Sequence, residues 1–364
     1  MPTQPLLVDD LDYELPPELI ATHPAEPRDS SRLLVMYRSK DEIEHSLVRD
    51  LPKYLKASDT MVFNRTSVLP ARLLGKRADT GGRVEGLFVN AVDESSWIVM
   101  LKSNGKLRPG QVIMLNDSDQ IAKGPKLELI EKDSDSWLVR LLDTADGISI
   151  LNDLGLTPLP PYILKARSDN NVQVLDAQDR KWYETTFADP NERRSVAAPT
   201  AGLHFTPQLL KSLDNRGVQR LDIVLDVGLG TFQPIKAKTI DKHKMHTERF
   251  TVPIETLKAL SNAGQQNDSR VFAIGTTVVR TLESLPKPLP TSDSISSSTK
   301  LLIAPPYQFK HIDGMMTNFH LPRSTLLALV GAMVGLERIK SVYREAVSCK
   351  YRFYSYGDAM LILP

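Results

Sequence analysis

The 364-residue sequence holds a single cysteine, Cys349. It can form no internal disulfide, and there is no cysteine cluster to hold zinc or an iron–sulfur centre. No apolar run reaches the roughly 18 residues that a membrane span needs. The opening Met1-Pro2-Thr3-Gln4-Pro5 lacks the basic flank and apolar stretch of a signal peptide. A surplus of either charge is missing too: 45 Lys and Arg against 44 Asp and Glu leave a formal charge of +1. That balance argues against a non-specific nucleic-acid coat but leaves room for a local basic patch gripping one folded RNA. These absences lead us to expect a cytosolic protein without a membrane segment. What is present, 41% apolar and 24% charged residues, is ordinary globular composition in a chain long enough for two domains.

The texture changes along the chain. Leu15–Ile20 has prolines at a helix start, whereas Ser31–Tyr37 and Asp59–Asn64 read as strands. From 71 to 156, short apolar segments (Arg83–Asn90, Trp97–Lys102, Gln111–Leu115, Lys126–Leu129, Trp137–Leu141) alternate with Gly-, Asn-, Asp- and Ser-rich turns. That spacing predicts a small antiparallel barrel or sandwich inserted into the rest. Pro158–Tyr162 reads as a stiff connector, and the polar stretch 163–192 as a partly mobile one. Beyond 195 the chain alternates strands (Arg220–Val227, Arg249–Val252, Arg270–Gly275, Met360–Leu363) with helices (Ile254–Gln265, Thr277–Ser284, Ser324–Val334). This predicts α/β architecture. The Pro- and Ser-rich 286–300 reads as a loose surface loop.

Several segments carry groups suited to chemistry. Ser195–Thr206 combines small residues, which let backbone approach a ligand, with the Thr200 hydroxyl and the His204 imidazole. Thr206-Pro207 reads as an N-cap and first residue of a helix whose free N–H groups suit a polar ligand. Asp226–Pro234 places Gly228, Gly230 and Thr231 after a strand, without the third glycine of a dinucleotide fingerprint. In His243–Glu248 two imidazoles three apart precede a glutamate. No third ligand has persuasive spacing, so a proton-moving or substrate-binding cluster is the stronger reading than a metal site.

Arg280 and Glu283 share a helix face as a surface ion pair or as substrate contacts. Asn318, His320 and Arg323 sit just before an apolar helix that Ser324 or Thr325 caps. The aromatics of Tyr351–Tyr356 form either a base-stacking platform or, more commonly, core, with Gly357-Asp358 turning into the last strand.

Taken in order, these phrases resemble the S-adenosylmethionine:tRNA ribosyltransferase-isomerase family of queuosine biosynthesis. The matching phrases begin with Asp12–Pro16, Glu26–Leu34, Pro70–Leu73 and Gly81–Glu85. They continue through Pro158–Ile163, Ser195–Thr206, Val227–Pro234, Met245–Glu248, Gly275–Ser284, Thr317–Leu327 and Tyr343–Ile362. The resemblance implies an α/β main domain, a mixed sheet or barrel with helices, over 1–70 plus 157–364, interrupted by a small antiparallel β-barrel over 71–156. It implies transfer and isomerisation of the ribosyl part of S-adenosylmethionine onto 7-aminomethyl-7-deazaguanine at the wobble position of tRNAs with GUN anticodons. The product is epoxyqueuosine-tRNA, and adenine and methionine leave. A monomer is expected, with no metal and no true cofactor, because the donor's sulfonium already activates its neighbouring carbon.

Under this resemblance His204, His246 and His320 are the catalytic acid and base candidates, with Asp226 and Asp358 as weaker ones. Thr200, Gly202, Gly228, Gly230, Thr231, Thr276, Asn318 and Asp358 are assigned to substrate binding, and Arg280 and Arg323 to tRNA phosphates. The chain departs from the family pattern at Asn64-Arg65-Thr66-Ser67, where Asn-Asp-Thr-Arg is usual, at Asp226 for histidine and at Pro306 for glycine. The competing readings are a non-catalytic RNA-binding relative and an S-adenosylmethionine-dependent RNA methyltransferase.

Overall fold

The structure is a computed structural model that describes residues 5–116, 122–142, 147–228, 235, 237–266 and 268–364. Its main body is built on a nine-stranded sheet. In chain order the strands are β1 (Arg32–Tyr37), β2 (Ile43–Leu47), β3 (Thr60–Asn64), β12 (Gln219–Leu225), β13 (Glu248–Val252), β14 (Val271–Ile274), β15 (Ile295–Thr299), β16 (Gly314–Asn318) and β17 (Ala359–Leu363). The spatial order is β15-β13-β12-β3-β14-β16-β17-β1-β2. Strands β12, β3, β14 and β16 are mutually parallel. β17 enters antiparallel to β16, and β1 runs parallel to β17. The carboxyl ends of the four parallel strands therefore share one edge with the start of β17.

Period-two alternation splits each central strand between two cores. Leu34 and Met36 of β1 face one side with Val62, Ala273, Met315 and Met360. Leu33 and Val35 face the other with Met61, Phe272, Met316 and Leu361. The first side is covered by helices α5 (Ile254–Ala263), α6 (Thr276–Glu283), α7 (Thr325–Val334) and α8 (Leu336–Ser348). The second is covered by α4 (Pro207–Arg216) and the 3-10 segment Val48–Tyr54. A sheet buried on both faces needs the nearly continuous apolar runs seen in β14 and β17.

Between β3 and β12 the chain first forms a two-stranded patch, β4 (Ser67–Val68) with the later β11 (Arg193–Ser195). It then builds a closed antiparallel barrel from β5 (Arg72–Arg77), β6 (Arg83–Ala91), β7 (Ser96–Ser103), β8 (Val112–Asn116), β9 (Ala122–Asp133) and β10 (Ser136–Leu141). Trp97, Trp137, Val99 and Leu129 fill it, and Ile150 and Leu151 of α1 (Gly147–Leu154) join its core. Main sheet with helices plus small barrel is the fold class expected from the sequence.

Other expectations are corrected. The stretch 163–192 is ordered: Pro161 opens α2 (Pro161–Asp169), and α3 (Asp176–Trp182) follows. Arg167 and Asp179 lock these helices with two bonds of 2.7 Å, both side chains buried. The region 286–300 is not wholly loop, because Ile295–Thr299 pairs with β13 as an edge strand. Leu15–Ile20 forms only a 3-10 turn at Pro17–Leu19.

Candidate active site

Segments far apart in sequence meet at the shared carboxyl edge of β12, β14 and β16, where open parallel sheets place ligands. They line an open cleft of about 610 Å³, mouth included. Its floor is Ala198–Ala201, entering the 3-10 turn Thr200–His204, and its walls are Val227 after β12 and Gly275–Thr277 between β14 and α6. Thr317–Leu321 at the end of β16, Tyr354 and Ser355 before β17, Tyr162 of α2 and Leu326 of α7 complete it. Gly275 turns with φ +93°, a value a side chain would strain, and its N–H is held by the Met316 carbonyl at 2.8 Å.

Asn318 organises the cleft. Its Oδ1 accepts from the Thr200 hydroxyl at 3.0 Å, and its Nδ2 lies 3.1 Å from both the Tyr354 carbonyl and His204 Nε2. An amide N–H₂ only donates, so His204 Nε2 is the acceptor and this imidazole is neutral. Burial, followed by the nearby Arg352 and Arg28, lowers its pKa to about 3. His320 is likewise buried, which alone lowers it to about 3, and its Nε2 pairs with Thr317 Oγ1 at 2.8 Å. The Tyr343 hydroxyl accepts from His320 N at 3.0 Å, and the Tyr13 hydroxyl donates to His320 O. Tyr162 and Ser355 hydroxyls lie 2.6 Å apart, and the Tyr162 and Tyr354 rings pack at 4.6 Å. Among the described residues no lining side chain carries a charge at neutral pH, so that lining is polar, uncharged and partly aromatic.

The chain matches the description "queuosine biosynthesis protein" over residues 8–362. It is 44% identical over 356 residues to an S-adenosylmethionine:tRNA ribosyltransferase-isomerase of Sulfurihydrogenibium, covering 98% of this chain and 99% of that one. A protein of the same name from Thermosipho africanus is 45% identical over 355 residues, covering 98% and 99%. This chain belongs to the queuosine biosynthesis protein family. The crystal structure of S-adenosylmethionine tRNA ribosyltransferase from Thermotoga maritima superposes with TM-score 0.53 at 33% identity, covering 97% of this chain and 100% of that one.

Within this queuosine-family fold, the cleft brings together four residues singled out in the sequence: Thr200, Thr276, Asn318 and His320. His204 lies just behind them, bonded to Asn318. Gly228 stands next to the lining Val227, and no atom of the described residues lies within 4 Å of where its Cβ would point. Gly230 and Thr231 lie outside the described residues. Gly202 packs instead against Phe187 and Thr185, with no room for a Cβ.

The remaining assignments are elsewhere. His246 is exposed on the stretch before β13, away from the cleft lining. Arg280 is no surface cation: it is buried, pairs with Glu248 at 2.5 Å and donates to the Leu301 carbonyl. Its expected neighbour Glu283 instead accepts from Lys310 N, His311 N and the Tyr307 hydroxyl. Arg323 is exposed, at φ +55°, and paired with Asp9 at 2.6 Å. Asp358 is buried, accepting from Arg32 N and Arg352 N, and so ties the β17 turn to β1. Asp226 lies beside Arg194 and Arg249, outside the cleft lining.

The N-terminus of α4 is closed by Thr206, which accepts from Leu209 N at 3.1 Å, and it does not line the cleft. The divergent Asn64–Ser67 loop is internal wiring. Asn64 bonds both N and O of Leu225, Thr66 bonds Ser195, and Ser67 donates to Glu184.

Sequence reasoning missed Tyr162, Thr317 and Ser355 as lining residues. Tyr162 was masked by the proline run before it, and Ser355 by the aromatics around it. The rings of Tyr351 and Phe353 are core, packed on Phe319 at 5.4 and 5.1 Å.

Proposed function

We propose that this chain transfers the ribosyl part of S-adenosylmethionine to 7-aminomethyl-7-deazaguanine at the wobble position of tRNA. The ribosyl unit is isomerised to the epoxycyclopentane of epoxyqueuosine, and adenine and methionine leave. The observation that carries the reading is the uncharged cleft where Thr200, Thr276, Asn318 and His320 converge at the strand ends. Family membership supports it along nearly the whole chain.

The cleft chemistry suits a sulfonium nucleoside. A cationic donor is repelled by cationic neighbours in low dielectric, and burial keeps both imidazoles neutral. The ring faces of Tyr162, Tyr354 and Phe319 attract positive charge. Thr200, Thr276 and Thr277 offer hydroxyls to the ribose and adenine. The hydrogens on the carbon beside the sulfonium are acidified, and a base must remove one for adenine to leave. His320 lines the cleft and is neutral at neutral pH; with Nε2–H donating to the Thr317 hydroxyl, its Nδ1 keeps a lone pair, so we assign it that task. His204 is a positioning residue, because its acceptor nitrogen is already engaged by Asn318.

The test supplies donor labelled in its ribose carbons together with tRNA carrying the precursor base. The proposal expects label on the wobble nucleoside. Label recovered only in S-adenosylhomocysteine would identify a methyltransferase, and unchanged donor would identify a binding protein.

A further inference from the structure

The end of α8 and the edge strand β2 bring three different metal-binding side chains together outside the cleft. His45 of β2, Glu345 in the last turn of α8 and Cys349 just beyond it place one ligand atom each within 4.8 Å of the others. His45 Nε2 is 3.6 Å from Glu345 Oε1, and Cys349 Sγ is 3.1 Å from the same oxygen. A tetrahedral ion with bonds of about 2.0–2.3 Å spaces its ligand atoms roughly 3.3–3.5 Å apart. Small side-chain adjustments therefore bring all three onto one centre. Glu345 and Cys349 are four apart at the helix end and so share a face.

The surroundings are those of a ligand set. His45 Nδ1 is 2.7 Å from the Tyr351 hydroxyl, which fixes the ring and leaves Nε2 as the nitrogen turned to Glu345. Arg32, the nearest cation, is already engaged: it lies 3.7 Å over the Tyr351 ring and donates to the Cys349 carbonyl at 2.7 Å. His45 and Glu345 are about two-fifths exposed, at 40% and 44%, so an ion can enter and a water can complete the tetrahedron.

We propose that His45, Glu345 and Cys349 bind one borderline-soft divalent cation, zinc in kind. Thiolate, imidazole and carboxylate together suit that class better than magnesium or calcium. Binding breaks the Cys349 S–H bond, releases its proton to solvent and forms a metal–sulfur bond, with no change of oxidation state. The bound ion ties the edge strand β2 to the end of α8.

The test titrates cobalt(II) into the tag-free full chain in a non-thiol reductant. Because Cys349 is the chain's one cysteine, a thiolate-to-cobalt charge-transfer band reports this site alone. We expect one cobalt per chain with that band, its displacement by zinc, and a thermal midpoint that rises with zinc. Cys349→Ser abolishes the band and the rise, and His45→Ala weakens zinc binding about tenfold or more. Tyr351→Phe keeps the band but weakens binding roughly tenfold. Absence of the sulfur band at saturating cobalt, or zinc affinity unchanged in Cys349→Ser, would show that the three side chains are only a hydrogen-bonded chain.

Discussion

Asn318 is the residue on which the cleft turns, because its one amide joins Thr200, His204 and Tyr354. His204→Ala removes an acceptor and frees the amide to rotate. We expect turnover to fall about a hundredfold, the usual consequence of misplacing a positioned group. His204→Gln, which keeps an acceptor within reach, recovers much of that loss; equal loss in both variants would make His204 itself a proton carrier. His320→Gln should lower turnover roughly 10²- to 10⁴-fold. Both imidazoles also leave a mark on stability. Folded, they stay neutral down to about pH 3, whereas unfolded they protonate near 6.5. The unfolded chain thus binds more protons between those values, and stability falls as pH drops through that window. By pH 5 each imidazole costs on the order of 2 kcal/mol relative to pH 7.5. Urea denaturation at the two pH values measures this, and His204→Gln should show a smaller difference than wild type.

Elements with strong local signals were legible in the sequence, and those dependent on tertiary partners were not. Barrel strands bounded by Gly and Asn turns, and α7 with its Ser324 cap, read directly from pattern. Strand β15 did not, since Ile-Ser-Ser-Ser-Thr has few apolar residues and becomes a strand only by pairing with β13. α2 and α3 were hidden because their shared Arg167–Asp179 lock joins residues that look like solvated charges in one dimension. The cleft was half legible: Thr200, Thr276, Asn318 and His320 stood in recognisable phrases, but Tyr162 and Ser355 reach it from distant segments.

Asn64→Ala leaves Leu225 N and O without their side-chain partner at the end of β12, and should cost about 2–3 kcal/mol in urea unfolding. Arg280→Met removes the buried cationic partner of Glu248 on β13 and should cost about 3–5 kcal/mol. A variant that keeps its stability but loses tRNA affinity would restore Arg280 to the RNA-facing role expected from sequence.

At the scale of the whole molecule, the sheet converges its parallel strand ends and the β17 turn on one uncharged cleft, and a closed barrel is inserted between β3 and β12. The near-zero net charge is consistent with this division. Under the proposed function a cationic donor would find a neutral pocket, while grip on an RNA would come from local rather than global charge. The most direct measurement is the co-product released when purified protein meets S-adenosylmethionine and tRNA bearing the aminomethyl precursor. The account predicts free adenine, one for each tRNA converted and none without that tRNA. S-adenosylhomocysteine in its place, or tRNA bound with no adenine released, would contradict it.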